Sequence, residues 1–183
     1  VLHGKDGSNL NTAYGQILYI CGSYMRVQGF EITMNPDSRW KGDDTGSFHE
    51  GNWSGMTITA DHTTVRDMIV HNMVGGGLGM WKDAVDSELA NCLIFNNGWE
   101  ADDRGHGHGI YMQNDTGRKN VHHNLVFSNF AYGFHLYTKA GDLKNFDIYN
   151  NFTFLAGYPG SLKSQHNMFI GGINNPVENI NFE

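Results

Sequence analysis

The chain has 183 residues, the size of one domain with a sizeable core, and carries a formal charge of −7 with a pI near 5.7. That acidity argues against a phosphate-tracking nucleic-acid binder, and no apolar run approaches the ~18 residues of a membrane span. Charged residues are only 17% of the chain while Gly numbers 24, and Asn recurs in pairs at Asn96-Asn97, Asn150-Asn151 and Asn174-Asn175; many turns and few long surface helices follow.

The chain opens at Val1 and closes on "VENINFE" in mid-pattern, so it reads as a single domain over 1–183 that lacks a leader or other flanking segments. Cys21 in "LYICG" and Cys92 in "ANCLIF" sit in apolar runs at no metal-ligand spacing, and both are expected to be buried free thiols.

Short apolar segments ending in Asn then recur down the chain. "VQGFEITMN" (27–35) is followed by "VRDMIVHN" (65–72), "LANCLIFNN" (89–97), "VHHNLVFSN" (121–129), "IYNNFTF" (148–154) and "HNMFIGG" (166–172). Between them runs a second strand type that starts with Gly and alternates: "GLGMWKD" (77–83), "GIYMQND" (109–115) and "GFHLYTK" (133–139). Gly77 to Gly109 is 32 residues and Gly109 to Gly133 is 24, so a fixed strand pattern is separated by turns of variable length. "NPDSRWKGDDTGSFHEGN" (35–52) and "NNGWEADDRGHG" (96–107) are the inserted loops.

Units of two or three short strands with no amphipathic helix cannot bury an apolar face singly, but stacked they can. The predicted fold is all-β, a right-handed parallel β-helix. Over roughly Ser23 to Gly172 the pattern resembles the right-handed parallel β-helix family, the architecture of pectate lyases and related polysaccharide-active proteins. The resemblance implies a secreted or cell-surface protein acting on or binding a polysaccharide or oligosaccharide; it leaves oligomeric state open. Asn124 and Asn151, followed by Asn167, are read as a stacked turn ladder, and Phe95, Phe127 and Phe154 as an aromatic column of the core.

If Ile110 and Met112 point inward, their neighbours form lateral rows on the outer face of strands about 4.8 Å apart. Gly79, Tyr111 and His135 make one row, Trp81, Gln113 and Tyr137 the next, and Asp83, Asp115 and Lys139 a third in which Asp115 and Lys139 would be neighbours. Aromatic faces among polar groups suit sugars, which present C–H faces and hydroxyls; Trp81, Gln113 and Lys82 are the expected substrate contacts. Tyr and Trp also occur on strand surfaces merely because they fit a pleated sheet.

Metal readings compete. His106, His108 and His135 form an H-x-H pair plus a third imidazole, whereas His122 and His123 face opposite ways, one of them at a turn or the surface. Glu100, Asp102, Asp103 and Asp115 are oxygen ligands of the kind calcium uses, although a solvated loop is the ordinary reading of such a run. Calcium is the candidate cofactor, with Asp102, Asp103 and Asp115 as its candidate ligands.

A lyase acting on uronates must neutralise the carboxylate, take the C5 proton and protonate the leaving oxygen. His135 or His108 is the expected base, Tyr111 or Tyr137 the acid, and Arg104, Lys139 or Gln113 the carboxylate partner. The chain departs from the family's enzymes in lacking a strand-by-strand set of calcium aspartates with a catalytic arginine, and in lacking a "DPHD"-type segment. Two further readings stay open: a non-catalytic glycan-binding or fibre module, and a glycoside hydrolase or uronate epimerase on the same scaffold.

Overall fold

The computed structural model describes residues 1–3, 14–34, 52–101, 103–160 and 166–183. Among the described residues twenty strands run in chain order. After β1 (Leu2–His3), each coil lays down one strand on each of three faces: β2 (Tyr14–Ile20), β3 (Arg26–Gln28) and β4 (Glu31–Thr33), then β5 (Asn52–Ile58), β6 (Thr64–Arg66) and β7 (Ile69–His71). The third coil has β8 (Leu78–Met80), β9 (Ser87–Ala90) and β10 (Leu93–Phe95). A small antiparallel excursion follows, β11 (Trp99–Glu100) against β12 (Gly105–His106). The stack resumes with β13 (Ile110–Met112), β14 (Lys119–His122) and β15 (Leu125–Phe127), then β16 (Phe134–Tyr137), β17 (Leu143–Tyr149) and β18 (Phe152–Phe154), and finally β19 (Met168–Gly171) and β20 (Val177–Phe182).

The result is a right-handed parallel β-helix with three six-stranded sheets, which we call sheet I (β2-β5-β8-β13-β16-β19), sheet II (β3-β6-β9-β14-β17-β20) and sheet III (β1-β4-β7-β10-β15-β18). Strand alternation builds its core, since the middle residues of the sheet III strands, Val70, Ile94 and Val126, are fully buried. Leu78, Ile110 and Phe134 fill the same interior from sheet I.

The corners explain the asparagines. Between sheets II and III the chain turns through a left-handed residue in successive coils, Asp67 (φ 55°), Asn91 (φ 54°), His123 (φ 56°) and Asn150 (φ 53°); Asn and Asp tolerate this geometry better than most residues. The residue after it points inward, and there Asn124 Nδ2 donates to Asn151 Oδ1 at 2.9 Å while Asn124 Oδ1 accepts from Cys92 N at 2.9 Å. A second ladder at the corner between sheets III and I links Asn97 to Asn129 at 2.9 Å, satisfying buried backbone from coil to coil.

Sheet I starts on glycine for a steric reason. A Cβ at Gly77 or Gly109 would lie 2.6 Å or 2.7 Å from the next coil's carbonyl, and at Gly133 it would meet Asn167 O at 2.4 Å. Asn167 therefore occupies the next rung of this glycine column, and its Oδ1 accepts from Ala156 N; it does not extend the Asn124–Asn151 ladder. The phenylalanine column also differs from expectation. Phe95, Phe127 and Phe154 stack at 5.1 Å with His71 on Phe95 at 4.8 Å, but on the outer surface of sheet III, because Ile94 and Val126 hold the inward positions. Of the thiols, Cys92 is buried and Cys21 exposed, and both are free. The loop predicted over 35–52 lies, up to residue 51, outside the described residues.

Candidate functional site

The row through Tyr111 forms as the alternation predicts. Tyr111 pairs in register with Gly79 and with His135, and the row runs on through Thr57 on one side and Phe169 on the other. A parallel column two residues before β13 stacks His108 on Tyr132 (5.2 Å, 8°) and Tyr132 on His166 (5.7 Å, 3°). In the third coil both columns hold glycine, Gly76 and Gly79, where the following coils hold rings. A cleft of about 280 Å³ opens there, floored by Thr57, Gly76 and Gly79 and walled by Trp81, Tyr111, His108 and the β11–β12 excursion with Trp99, Arg104 and His106. Gly79 has a second role: a Cβ there would lie 3.1 Å from Trp81 Nε1, so its absence lets the indole lean over the strand towards Tyr111, 5.2 Å away.

The imidazoles are paired. His135 Nδ1 lies 3.0 Å from His108 Nε2, so one ring donates to the other. His135 is buried at 9% exposure, enclosed by Tyr111, Tyr132, Tyr137 and Phe169. Burial, and then the Arg104 charge, pull its pKa down from 6.5 to about 4. His108 is held well below the ordinary histidine value by burial first and by His135, Arg104 and His106 after it. Both rings are therefore neutral at pH 7. Tyr111 moves the other way: burial raises its pKa, while Gln113 Nε2, donating to its hydroxyl at 3.3 Å, works against the rise. The phenol keeps its proton.

Across Trp81 a second cleft of about 380 Å³ is lined by Gln16, Tyr19, Thr57, Thr59, Lys82, Asp83, Gln113 and Ala140. Thr57 and Trp81 belong to both clefts. Gln113 is nearly inaccessible and spans to Tyr137 O, donating at 2.9 Å. Lys82 lies between Asp115 (3.4 Å) and Asp83 (3.6 Å), whose carboxylates raise its pKa.

Several predicted sites therefore change place. Asp115 takes Lys82 as its cation and accepts from Asp142 N at 2.7 Å, and Lys139 is exposed in the turn after β16, outside the walls of both clefts. His106 does not join His108 and His135; it stacks on Trp99 at 4.8 Å and holds Asp103 at 2.9 Å, since residues of the paired β11 and β12 strands face each other. That contact lowers the Asp103 pKa, and Asp103 also meets Arg104 Nε at 3.6 Å. Among the described residues no three His, Cys, Asp or Glu side chains are grouped to hold a metal ion; Asp102 lies outside those residues. His123 stands at a corner, as expected for one of the adjacent pair, and His122 stacks on Tyr149 at 4.7 Å and binds Glu88 at 2.9 Å.

Two participants have no signal in the strand alternation. Tyr132 precedes Gly133 as His108 precedes Gly109, and aligning the residue before each glycine would have found it. Lys119 is fully buried beneath the site, its Nζ donating to Trp81 O (2.5 Å), Met80 O (3.4 Å) and Gln113 O at the ends of β8 and β13. Burial lowers its pKa well below the ordinary lysine value. Nothing in "GRKNVH" marks it as interior.

The profile of the right-handed β-helix region matches residues 11–153. This chain belongs to the right-handed β-helix family. No curated protein and no solved structure matches the chain. Within this β-helix the inserted loop and the glycine gaps coincide on sheet I.

Proposed function

We propose that the protein is a secreted or cell-surface polysaccharide lyase that cleaves a uronate-containing chain by β-elimination in the cleft over Gly79. The carrying observation is that one cleft joins a guanidinium (Arg104), a neutral imidazole (His108) hydrogen-bonded to the buried His135 behind it, and a phenol held protonated (Tyr111) beside an indole platform (Trp81). Two-carboxylate hydrolysis would need a different set; among the described residues the walls of this cleft contain no Asp or Glu.

Arg104 takes the uronate carboxylate, which makes the C5 proton more acidic. That pairing offsets the Arg104 charge, the second cause of His135's low basicity, so substrate raises the affinity of the imidazole for a proton. With the shared hydrogen on His135 Nδ1, donated to His108 Nε2, the Nε2 lone pair of His135 accepts the C5 proton. The reactive tautomer puts the hydrogen of His108 on Nδ1, whereas Tyr132 N donates to that atom at 3.4 Å, so both rings change tautomer before His135 accepts the proton. The C5 electron pair forms the C4–C5 double bond, the C4–O bond breaks, and Tyr111 gives its proton to the departing oxygen. Trp81 stacks on the sugar face and Gln113 fixes the Tyr111 hydroxyl. Calcium would assist by neutralising the same carboxylate; because Asp103 and Asp115 are engaged with separate partners, no step is assigned to it.

Absorbance near ~235 nm on hyaluronan, chondroitin, pectate and alginate, with Ca²⁺ or EDTA, tests the reaction class. Product that disappears in His135→Phe and in Gly79→Val, whose side chain fills the cleft, supports it; absence of product from every polymer refutes it. A second reading, a glycan-binding module, draws on the burial of His135 beneath four rings. In that case Trp81→Ala loses glycan retention and His135→Phe keeps it, with no unsaturated product.

A further inference from the structure

Resting on that reading, we infer that the second cleft, across Trp81, is a subsite for an uncharged sugar, so the substrate alternates uronic acid with a neutral hexose or N-acetylhexosamine. The two clefts share Thr57 and the Trp81 indole, which places adjoining sugars of one chain on either side of the same ring. Their charge differs. In the wall of the first cleft, Arg104 is the charged side chain among the described residues, and its ion pair with Asp103 runs through Nε. In the second, the one ammonium, Lys82, is held by two carboxylates, Asp83 and Asp115, leaving the trio with one net negative charge.

A uronate carboxylate entering this second cleft meets a cation already neutralised and an excess carboxylate; like charges in such a place disfavour binding. The remaining wall is hydroxyl and amide: Gln16, Thr57, Tyr19 with Thr59 donating to it at 3.2 Å, and Gln113. These groups match a neutral sugar, and the two clefts together match an alternating chain better than a homopolymer of uronates.

Calorimetric titration of the full chain with hexasaccharides of hyaluronan, chondroitin and polygalacturonate tests this. The alternating hexasaccharides are expected to bind ~10-fold more tightly than hexagalacturonate. Asp83→Asn, a change at an exposed side chain, is expected to narrow that ratio about fivefold by strengthening hexagalacturonate binding. Equal or tighter binding of hexagalacturonate overturns the inference, as does a ratio that Asp83→Asn leaves unmoved. The expected ratio without unsaturated product from any polymer leaves the subsite standing and removes the lyase. Unsaturated product from polygalacturonate alone keeps the lyase and removes the alternating substrate.

Discussion

His135 makes the stability of this β-helix depend on pH in a direction that its burial dictates. Its pKa is about 4 when folded, from burial and then from Arg104, against 6.5 in the unfolded chain. Between those values the unfolded chain binds a proton that the folded protein refuses, so stability is full above about pH 6.5 and falls as pH drops towards 4. At 1.36 kcal/mol per decade the whole gap is worth about 3 kcal/mol, of which about 2.5 kcal/mol is lost by about pH 4.5. His135→Phe keeps a ring in the aromatic cage and removes this titration. His108 is depressed chiefly by its own burial, so its contribution remains in both proteins. Urea unfolding from about pH 7.5 to pH 4.5 should show the wild type losing about 2.5 kcal/mol more than the variant. Parallel pH profiles for the two, or an imidazole NMR titration that places His135 near 6.5, would refute the reasoning and with it the neutral base of the proposed reaction.

Gly109→Ala should destabilise by about 3 kcal/mol in the same urea assay, because the added methyl meets Val126 Cγ1 at 2.6 Å and Gly133 O at 2.7 Å, neither of which can move without shifting the next coil. Asn129→Ala removes the acceptor of Asn97 N (3.1 Å) and Asn97 Nδ2 (2.9 Å) inside the stack, and about 2–4 kcal/mol of stability should go with it. Iodoacetamide at about pH 8 should modify Cys21 alone in the native protein and both thiols in urea, since burial pushes Cys92 to about 12 and shields it; mass spectrometry reads the count.

Periodicity alone determined the architecture. Alternating apolar residues, glycine before β8, β13 and β16 and asparagine at recurrent corners specify short parallel strands joined by tight turns, because a one-residue slip would turn Ile94 or Val126 out to water. The same alternation placed Tyr111 beside Gly79 and His135, since strand register is a local consequence of side-chain parity. What periodicity could not decide was which partner each polar group takes. Asp115 turns to Lys82 in the preceding coil, a contact across coils, and His106 folds back on Trp99 because β12 pairs with β11. Nor could it place the Phe95 column outside, since a stack of rings in sequence looks alike on either face of a sheet. Above all, the cleft is made by what is missing: Gly76 and Gly79 leave room where the next coils carry His108, Tyr132, Tyr111 and His135. A gap of that kind has no residue of its own in the sequence, and it arises only when the coils are stacked.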